Sequence, residues 1–259
     1  MSETQFFAEE RQRIILKRLE EDSKVLVQDL AEFFNVSLAT IRTDLRELEN
    51  AGQLIRTHGG AIPMWRARFE QNAIQKQVSF IEEKRRIANA AVAFVRDGDT
   101  IVIDTGTTVI EFAKALQSKN ELTIVTNDLE IATMYEEATD FNVIVIGGRI
   151  RKGFRCTLGS KAIEAIGDIN VDIAFLGANA FNIERGFMTP TIEHAEMKKR
   201  MKEISSKTVM LMDSHKIGGI SLCTFARLAD IDVWITDSGV GKAESEIRAA
   251  EENLEFIVV

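Results

Sequence analysis

The stretch Val36–Gly60, VSLATIRTDLRELENAGQLIRTHGG, decides how this chain is read. Ser37 is a good helix N-cap, and Ile41, Leu45 and Leu48 follow at spacings of four and three, so one face of the helix is destined for a core. The opposite face shows Ala39, Arg42, Thr43 and Arg46. Upstream, Val27–Phe34 (VQDLAEFF) brings Leu30, Phe33 and Phe34 to helical spacing, and only Asn35, Val36 and Ser37 separate the two helices, as in a helix-turn-helix. Before that, ERQRIILKRLEED carries Ile14, Ile15 and Leu19 at helix spacing. Downstream, Gly52 suits a left-handed C-cap, and LIRTHGGAI can form two short strands around Gly59 and Gly60. The expectation is a winged helix-turn-helix whose second helix enters the major groove, with the wing along the adjacent backbone or minor groove.

Charge restricts where such a contact can lie. The net charge of −8 excludes a protein coated in basic surface for nucleic acid or anionic lipid. Acidic residues exceed basic ones even within residues 1–62, which leaves room for the bland alternative, a helical packing module with merely solvated arginines. Placement favours DNA: the acids fall in the first helix and at Asp44, Glu47 and Glu49, whereas Arg42, Arg46, Arg56 and His58 fall on the reading helix and wing.

The chain changes character near Pro63. From about Ser79 onward, short β-branched runs alternate with amphipathic helical runs: Thr100–Asp104, Leu122–Thr126, Val143–Ile146, Asp172–Leu176, Thr208–Met212, Asp232–Thr236 and Glu255–Val259. That alternation predicts a mainly parallel sheet with helices on both faces. The expected organisation is therefore a DNA-binding domain over 1–62, a polar linker over 63–78 and an α/β domain over 79–259. With 259 residues, 45% of them hydrophobic, two unequal domains can each bury a core. No run approaches a membrane span and the start, MSETQFFAEERQR, does not read as a secretory signal, so a cytoplasmic location without membrane contact is expected. Cys156 and Cys223 have no metal-ligand spacing and are assigned to packing in a reduced state; the three histidines add no metal site, and no cofactor is expected.

In the α/β region, TIVID runs into DTGTTVIEFAKAL, so Asp104, Thr105, Gly106, Thr107 and Thr108 form a strand-to-helix turn. Free N–H groups at a helix start suit an anion such as phosphate, although an Asp or Thr there can also simply cap the helix. Other strand ends carry Thr126-Asn127-Asp128, Gly147-Gly148-Arg149, Gly177-Ala178-Asn179 and Asp213-Ser214-His215-Lys216. In a parallel sheet these converge on one rim, where ligands bind. Hydroxyl, amide, carboxylate and cation together suit a phosphorylated polyol.

The order RQRIILKRLEEDSKVLVQDLAEFFNVSLATIRTDLRELENAGQLIRTHGGAI resembles the DNA-binding domain of the DeoR family of bacterial sugar-metabolism regulators. The resemblance continues through EEKRRIANAA, DTGTT, Thr126-Asn127, Gly147-Gly148, Leu158-Gly159, DIAFLGA, EHAEMKKRM, DSHK and VWITD into the family's effector domain, which is similar in fold to ribose-5-phosphate isomerase. It implies that Ser37, Thr40, Arg42, Thr43, Arg46, Arg56 and His58 face DNA, Thr43 standing where the family usually carries a second arginine. It implies also that Asp104, Gly106, Thr107, Thr108, Asn127 and Lys216 face a sugar phosphate, with Asp213 lining the same pocket. Lys198 is a weaker candidate, because a lysine on a helix is ordinarily solvated. His194 stands where an acidic residue is expected, and GANAFNIERGFMTP departs from the commoner Gly-Ala-Asp-Gly run.

These features predict a transcriptional repressor of a carbohydrate operon that binds double-stranded operator DNA as a homodimer or homotetramer and responds to a phosphorylated sugar. The alternative is a sugar-phosphate isomerase or deaminase fused to a DNA-binding module. Its carboxylate base would come from Asp104, Asp128, Glu193 or Asp213. The acidic cluster that such enzymes show after the second strand is not reproduced by Thr126-Asn127-Asp128-Leu129, which favours binding without turnover.

Overall fold

A computed structural model describes residues 6–22, 25–57, 59–63 and 79–259. The chain forms two compact units, Met1–Glu70 and Gln71–Val259. His58 and residues 64–78, the greater part of the expected linker, lie outside the described residues.

In the first unit, α1 (Ala8–Asp22), α2 (Val27–Phe34) and α3 (Leu38–Asn50) close on a core that includes Ile15, Leu19, Leu30, Phe34, Ile41, Leu45 and Leu48. Asn35, left-handed at φ 50°, ends α2, and the Ser37 hydroxyl accepts from the Thr40 N–H at 3.1 Å to start α3. Gly52 takes φ +67° just beyond α3, where a side chain would be strained. The strands β1 (Val25–Leu26), β2 (Leu54–Thr57) and β3 (Gly60–Pro63) form an antiparallel sheet in the order β1-β3-β2. Gly60 is what lets β3 lie against β1: a Cβ there would stand 1.8 Å from the Val25 carbonyl oxygen.

The second unit is built on seven parallel strands in the order β15-β14-β12-β9-β4-β5-β6. They are β4 (Thr100–Ile103), β5 (Thr123–Thr126), β6 (Asn142–Val145), β9 (Val171–Gly177), β12 (Ser205–Leu211), β14 (Val233–Thr236) and β15 (Glu255–Val258). Each matches one of the seven expected runs to within a few residues. Alternate residues of the inner strands enter opposite cores, so the sheet is buried on both faces there, while the edge strand β6 leaves Ile144 and Val145 exposed. Ile101, Ile103 and Phe175 meet α4 (Ile81–Ala91), α5 (Thr107–Ala115) and α6 (Leu129–Ala138), while Val102, Ala174 and Leu176 share a core with α7 (Ser160–Ile166), α8 (Ile192–Glu203) and α9 (Ala243–Ala250).

The chain runs outward through β4, β5 and β6, then returns to the other side of β4 as β9 before continuing through β12 and β14. The reversal between β4 and β9 is the position in such sheets where a crevice opens beyond the strand ends. Two short antiparallel additions fall outside the strand alternation read from the sequence: the hairpin β7 (Arg149–Arg151) and β8 (Cys156–Leu158), and a small sheet of β10 (Ala180–Asn182), β11 (Gly186–Thr189) and β13 (Cys223–Ala226). The segment noted above as departing from the family run, GANAFNIERGFMTP, supplies β10 and β11.

Candidate functional site

The reading surface of the first unit is one face of α3. Ser37, Ala39, Arg42, Thr43 and Arg46 are exposed, and neither Arg42 nor Arg46 forms an ion pair among the described residues. Thr40 is half-buried and its hydroxyl lies 2.9 Å from that of Ser37; the Thr43 hydroxyl donates to the Ala39 carbonyl at 3.1 Å. Arg56, on β2, is exposed but held: its Nε lies 2.6 Å from the Glu49 carboxylate. Asp44, counted above among the acids of this domain, is buried. The guanidinium of Arg11 grips it with two hydrogen bonds of 2.8 and 3.1 Å, which ties α1 to α3. The same hydrogen bonding raises the Arg11 pKa and keeps it charged. Removing Asp44 from the surface leaves the exposed middle of α3 more basic than its sequence suggests.

In the second unit, the sheet reversal between β4 and β9 is organised by a buried ion pair. Lys198 on α8 reaches one oxygen, Oδ2, of Asp104 and also donates to the Gly177 carbonyl at 3.0 Å; the Gly177 N–H donates to the same Asp104 oxygen at 3.0 Å. Both side chains are almost fully buried, so the ranking of Lys198 as a solvated helix lysine is corrected. Its mark in the sequence was position: Lys198 stands four residues after His194 and three before Met201, all on the buried stripe of α8.

That pair is incompletely satisfied. Asp104 Oδ1, Thr108 Oγ1 and Asn127 Oδ1 are buried and have no hydrogen-bond partner among the described residues. An orphaned buried polar atom costs about 1–3 kcal/mol, and although Asp213 Oδ2, Trp234 Nε1 and Thr236 Oγ1 also have no hydrogen-bond partner among the described residues, three at the ends of β4 and β5 and the start of α5 make that end of the sheet the candidate site. Two of them are acceptors, which suit ligand hydroxyl donors. Gly106 precedes α5 at φ +143°, with nothing within 4 Å of where a Cβ would stand, and Thr107 and Thr108 open the helix with N–H groups that suit an anion.

Asn127 is fixed by its amide, which donates to the Thr157 carbonyl at 2.9 Å, so β8 is sewn to the end of β5. Asp128 has both oxygens in use: Oδ1 caps α6 through the Glu130 and Ile131 N–H groups, and Oδ2 accepts from the Thr105 hydroxyl at 2.7 Å. Burial pushes its pKa up to about 6 against those hydrogen bonds. Cys156, assigned to packing, is buried and free, and its Sγ lies 3.7 Å from Nε2 of the buried His194. Burial, reinforced by the charges of Asp128 and Asp104, pushes this thiol up to about 11, too high for a nucleophile at neutral pH. His194 Nδ1 is 2.9 Å from the Thr191 hydroxyl and 3.4 Å from Arg151.

Asp213 and Lys216 stand at the end of β12, two strands from β4 and so about 10 Å along the rim. Lys216 Nζ is 3.1 Å from the buried Asp213 carboxylate, and His215 Nδ1 is 3.8 Å from it. Burial alone would raise the Asp213 pKa; Lys216, Lys84 and His215 outweigh it and hold the carboxyl below its usual range. The structure thus gathers Asp104, Gly106, Thr107, Thr108 and Asn127 about one point and sets Asp213 and Lys216 further along the same rim. Among the described residues, no helix is long and apolar enough to cross a membrane.

Comparison with known proteins bears on both units. Residues 11–64 match a DeoR-like helix-turn-helix domain, and residues 79–238 match a DeoR C terminal sensor domain. The HTH-type transcriptional regulator GlpR of Haloferax volcanii is 36% identical over 242 residues, covering 93% of this chain and 94% of that protein. A putative aga operon transcriptional repressor of Escherichia coli O157:H7 is 30% identical, covering 96% and 93%. Among solved structures, ribose 5 phosphate isomerase A from Neisseria gonorrhoeae aligns with a TM-score of 0.40 at 21% identity, over 58% of this chain and 56% of that one.

Proposed function

The chain belongs to the DeoR family of transcriptional regulators, and from that premise we propose that it represses a carbohydrate-utilisation operon in the cytoplasm until a phosphorylated sugar binds its sensor domain. The observation that carries the ligand class is the group of buried polar atoms at the β4/β9 reversal: acceptors on Asp104 and Asn127 without a partner among the described residues, and the Thr108 hydroxyl, beside the N-terminus of α5. Hydroxyl donors of a sugar meet the acceptors, and the phosphate meets the helix N–H groups or Lys216. On the DNA side, Arg42 and Arg46 take phosphate or guanine contacts from α3, with Ser37, Thr40, Thr43, Arg56 and His58 at its margins. Paired reading heads call for a homodimer or homotetramer, and the sugar phosphate changes the spacing of the heads by binding one arrangement more tightly than the other.

Binding without turnover fits the carboxylates. A general base needs a free oxygen facing the substrate and a tuned pKa; Asp128 has the pKa, but both its oxygens are engaged. Asp213 is paired with Lys216; Asp104 is held through Oδ2 by Lys198 and the Gly177 N–H, and its open Oδ1 is read as an acceptor for a ligand hydroxyl.

The test is a titration of the purified protein onto DNA from upstream of its own gene, with and without glucose 6-phosphate, fructose 1-phosphate, ribose 5-phosphate and glycerol 3-phosphate. Tight binding released by one of these is expected. Tight binding indifferent to sugar phosphates would overturn the effector assignment, and conversion of one of them to a new product at catalytic turnover would restore the isomerase or deaminase reading.

A further inference from the structure

We infer that Phe80 is a positioning residue that passes the state of the sugar-phosphate crevice to the chain leading back to the DNA-binding domain; the inference rests on the effector reading above. Phe80 precedes α4 in a left-handed conformation, φ 55° and ψ 40°, which an aromatic residue adopts only when its surroundings enforce it. Phe80 is 41% exposed, so it adds little to the core. What holds it is His215: the two rings stack with centroids 3.4 Å apart and planes inclined by 24°. One turn into α4, the buried Lys84 donates from Nζ to the Ser79 carbonyl at 2.6 Å, fixing the residue before Phe80.

Both partners of this corner belong to the surroundings of Asp213. His215 and Lys216 approach its carboxylate within the same turn, and Lys84 contributes to the charge around it. The backbone of the turn is pinned at each end. Ser214 donates from its N–H and hydroxyl to Asp237 at 2.7 and 2.8 Å, and the Gly218 N–H donates to the Phe181 carbonyl at 2.8 Å. A change at Lys216 is therefore passed on by side chains. A phosphate that draws Lys216 from Asp213 leaves this carboxylate to His215 and Lys84, the two groups that hold residues 79 and 80. Those residues directly follow segment 64–78, through which the chain continues to the reading head.

The test uses the full-length protein and its upstream DNA, with the four sugar phosphates named above as probes. Phe80→Ala and Phe80→Leu are expected to keep operator affinity and sugar-phosphate affinity within about threefold of wild type. In both, the effect of the sugar phosphate on operator binding is expected to fall from the roughly 5- to 150-fold of ordinary coupling to less than about twofold. Phe80→Tyr, which keeps the ring, should restore it.

Wild-type coupling in both variants would overturn the inference, as would failure of Phe80→Tyr to rescue. Loss of sugar-phosphate affinity in step with coupling would make Phe80 part of the pocket and overturn its role as a positioning residue. A wild type that binds a sugar phosphate yet holds its DNA unchanged overturns this inference and leaves the ligand assignment standing; one that binds none of the four overturns both.

Discussion

In each half of the molecule an ion pair is buried with one partner on the apolar stripe of a helix, and the two pairs differ in how completely they are satisfied. In the DNA-binding domain, Arg11 grips both oxygens of Asp44, so the pair is closed and holds α1 to α3. In the sensor domain, Lys198 and the Gly177 N–H meet one oxygen of Asp104 and leave the other without a partner among the described residues. A closed pair is structural support. An open one leaves an acceptor that a ligand of the proposed class would satisfy. The difference shows why burial of a charge alone does not separate support from a candidate site; the hydrogen bonding of each oxygen has to be read as well.

The sharpest way to break this contrast is Lys198→Ala. It leaves the buried Asp104 without its counter-charge and should cost the sensor domain about 3–5 kcal/mol, read as a lower urea midpoint for that domain's transition. A loss below about 1 kcal/mol would mean that the pair is more solvated than its burial implies. Sugar-phosphate binding should disappear with it, whereas disrupting the closed pair by Arg11→Ala should lower the stability of the DNA-binding domain and leave sugar-phosphate binding unchanged.

Asp128 sharpens the comparison through pH. Its pKa is raised in the fold, from 3.8 to about 6, so its folded form favours the proton. Its contribution is fully present below about pH 4 and is lost as pH rises through about 6, by up to about 3 kcal/mol. Asp128→Asn removes that titration, so the stability of wild type relative to the variant should fall between pH 4 and pH 6.5 and level off above. A flat difference would show that Asp128 is already ionised at low pH.

At the exposed surface the effects are smaller and fall on DNA. Arg42→Ala should weaken operator binding by about 1–3 kcal/mol while shifting stability by no more than about 0.5 kcal/mol, measured by salt-controlled titration and thermal unfolding. Thr43→Arg, which sets a second arginine beside Arg42, should steepen the dependence of log K on log salt by about 1 if it gains a phosphate contact. An unchanged slope would place residue 43 away from the DNA backbone.

What could be read from the sequence depended on how local the determinant is. The seven parallel strands are runs of β-branched residues bounded by turn signals, and the reading face of α3 follows from its own period, so neither needs information from elsewhere in the chain. Strands β7 with β8 and β10 with β11 close two local hairpins whose loops carry no Asn-Gly or Asp-Gly turn signal, and β8 is placed by a contact from elsewhere in the chain, Thr157 N–H to the Asn127 carbonyl. Asp104 and Asn127 were legible as polar residues at strand ends. Lys198 and Asp44 were misjudged for one shared reason: their partners lie 94 and 33 residues away. Yet both occupy apolar-stripe positions, Asp44 three residues after Ile41 and four before Leu48. A charge on such a stripe is evidence of a buried partner.

Within α3, the residues that keep the domain folded and those that face outward never coincide: Ile41, Asp44, Leu45 and Leu48 point inward, while Arg42, Thr43 and Arg46 point to solvent. Lineages that must distinguish many operators with one scaffold can therefore rewrite the outward positions one at a time, without passing through an unfolded ancestor. Duplicated regulators can part ways in the address they recognise long before they part ways in shape.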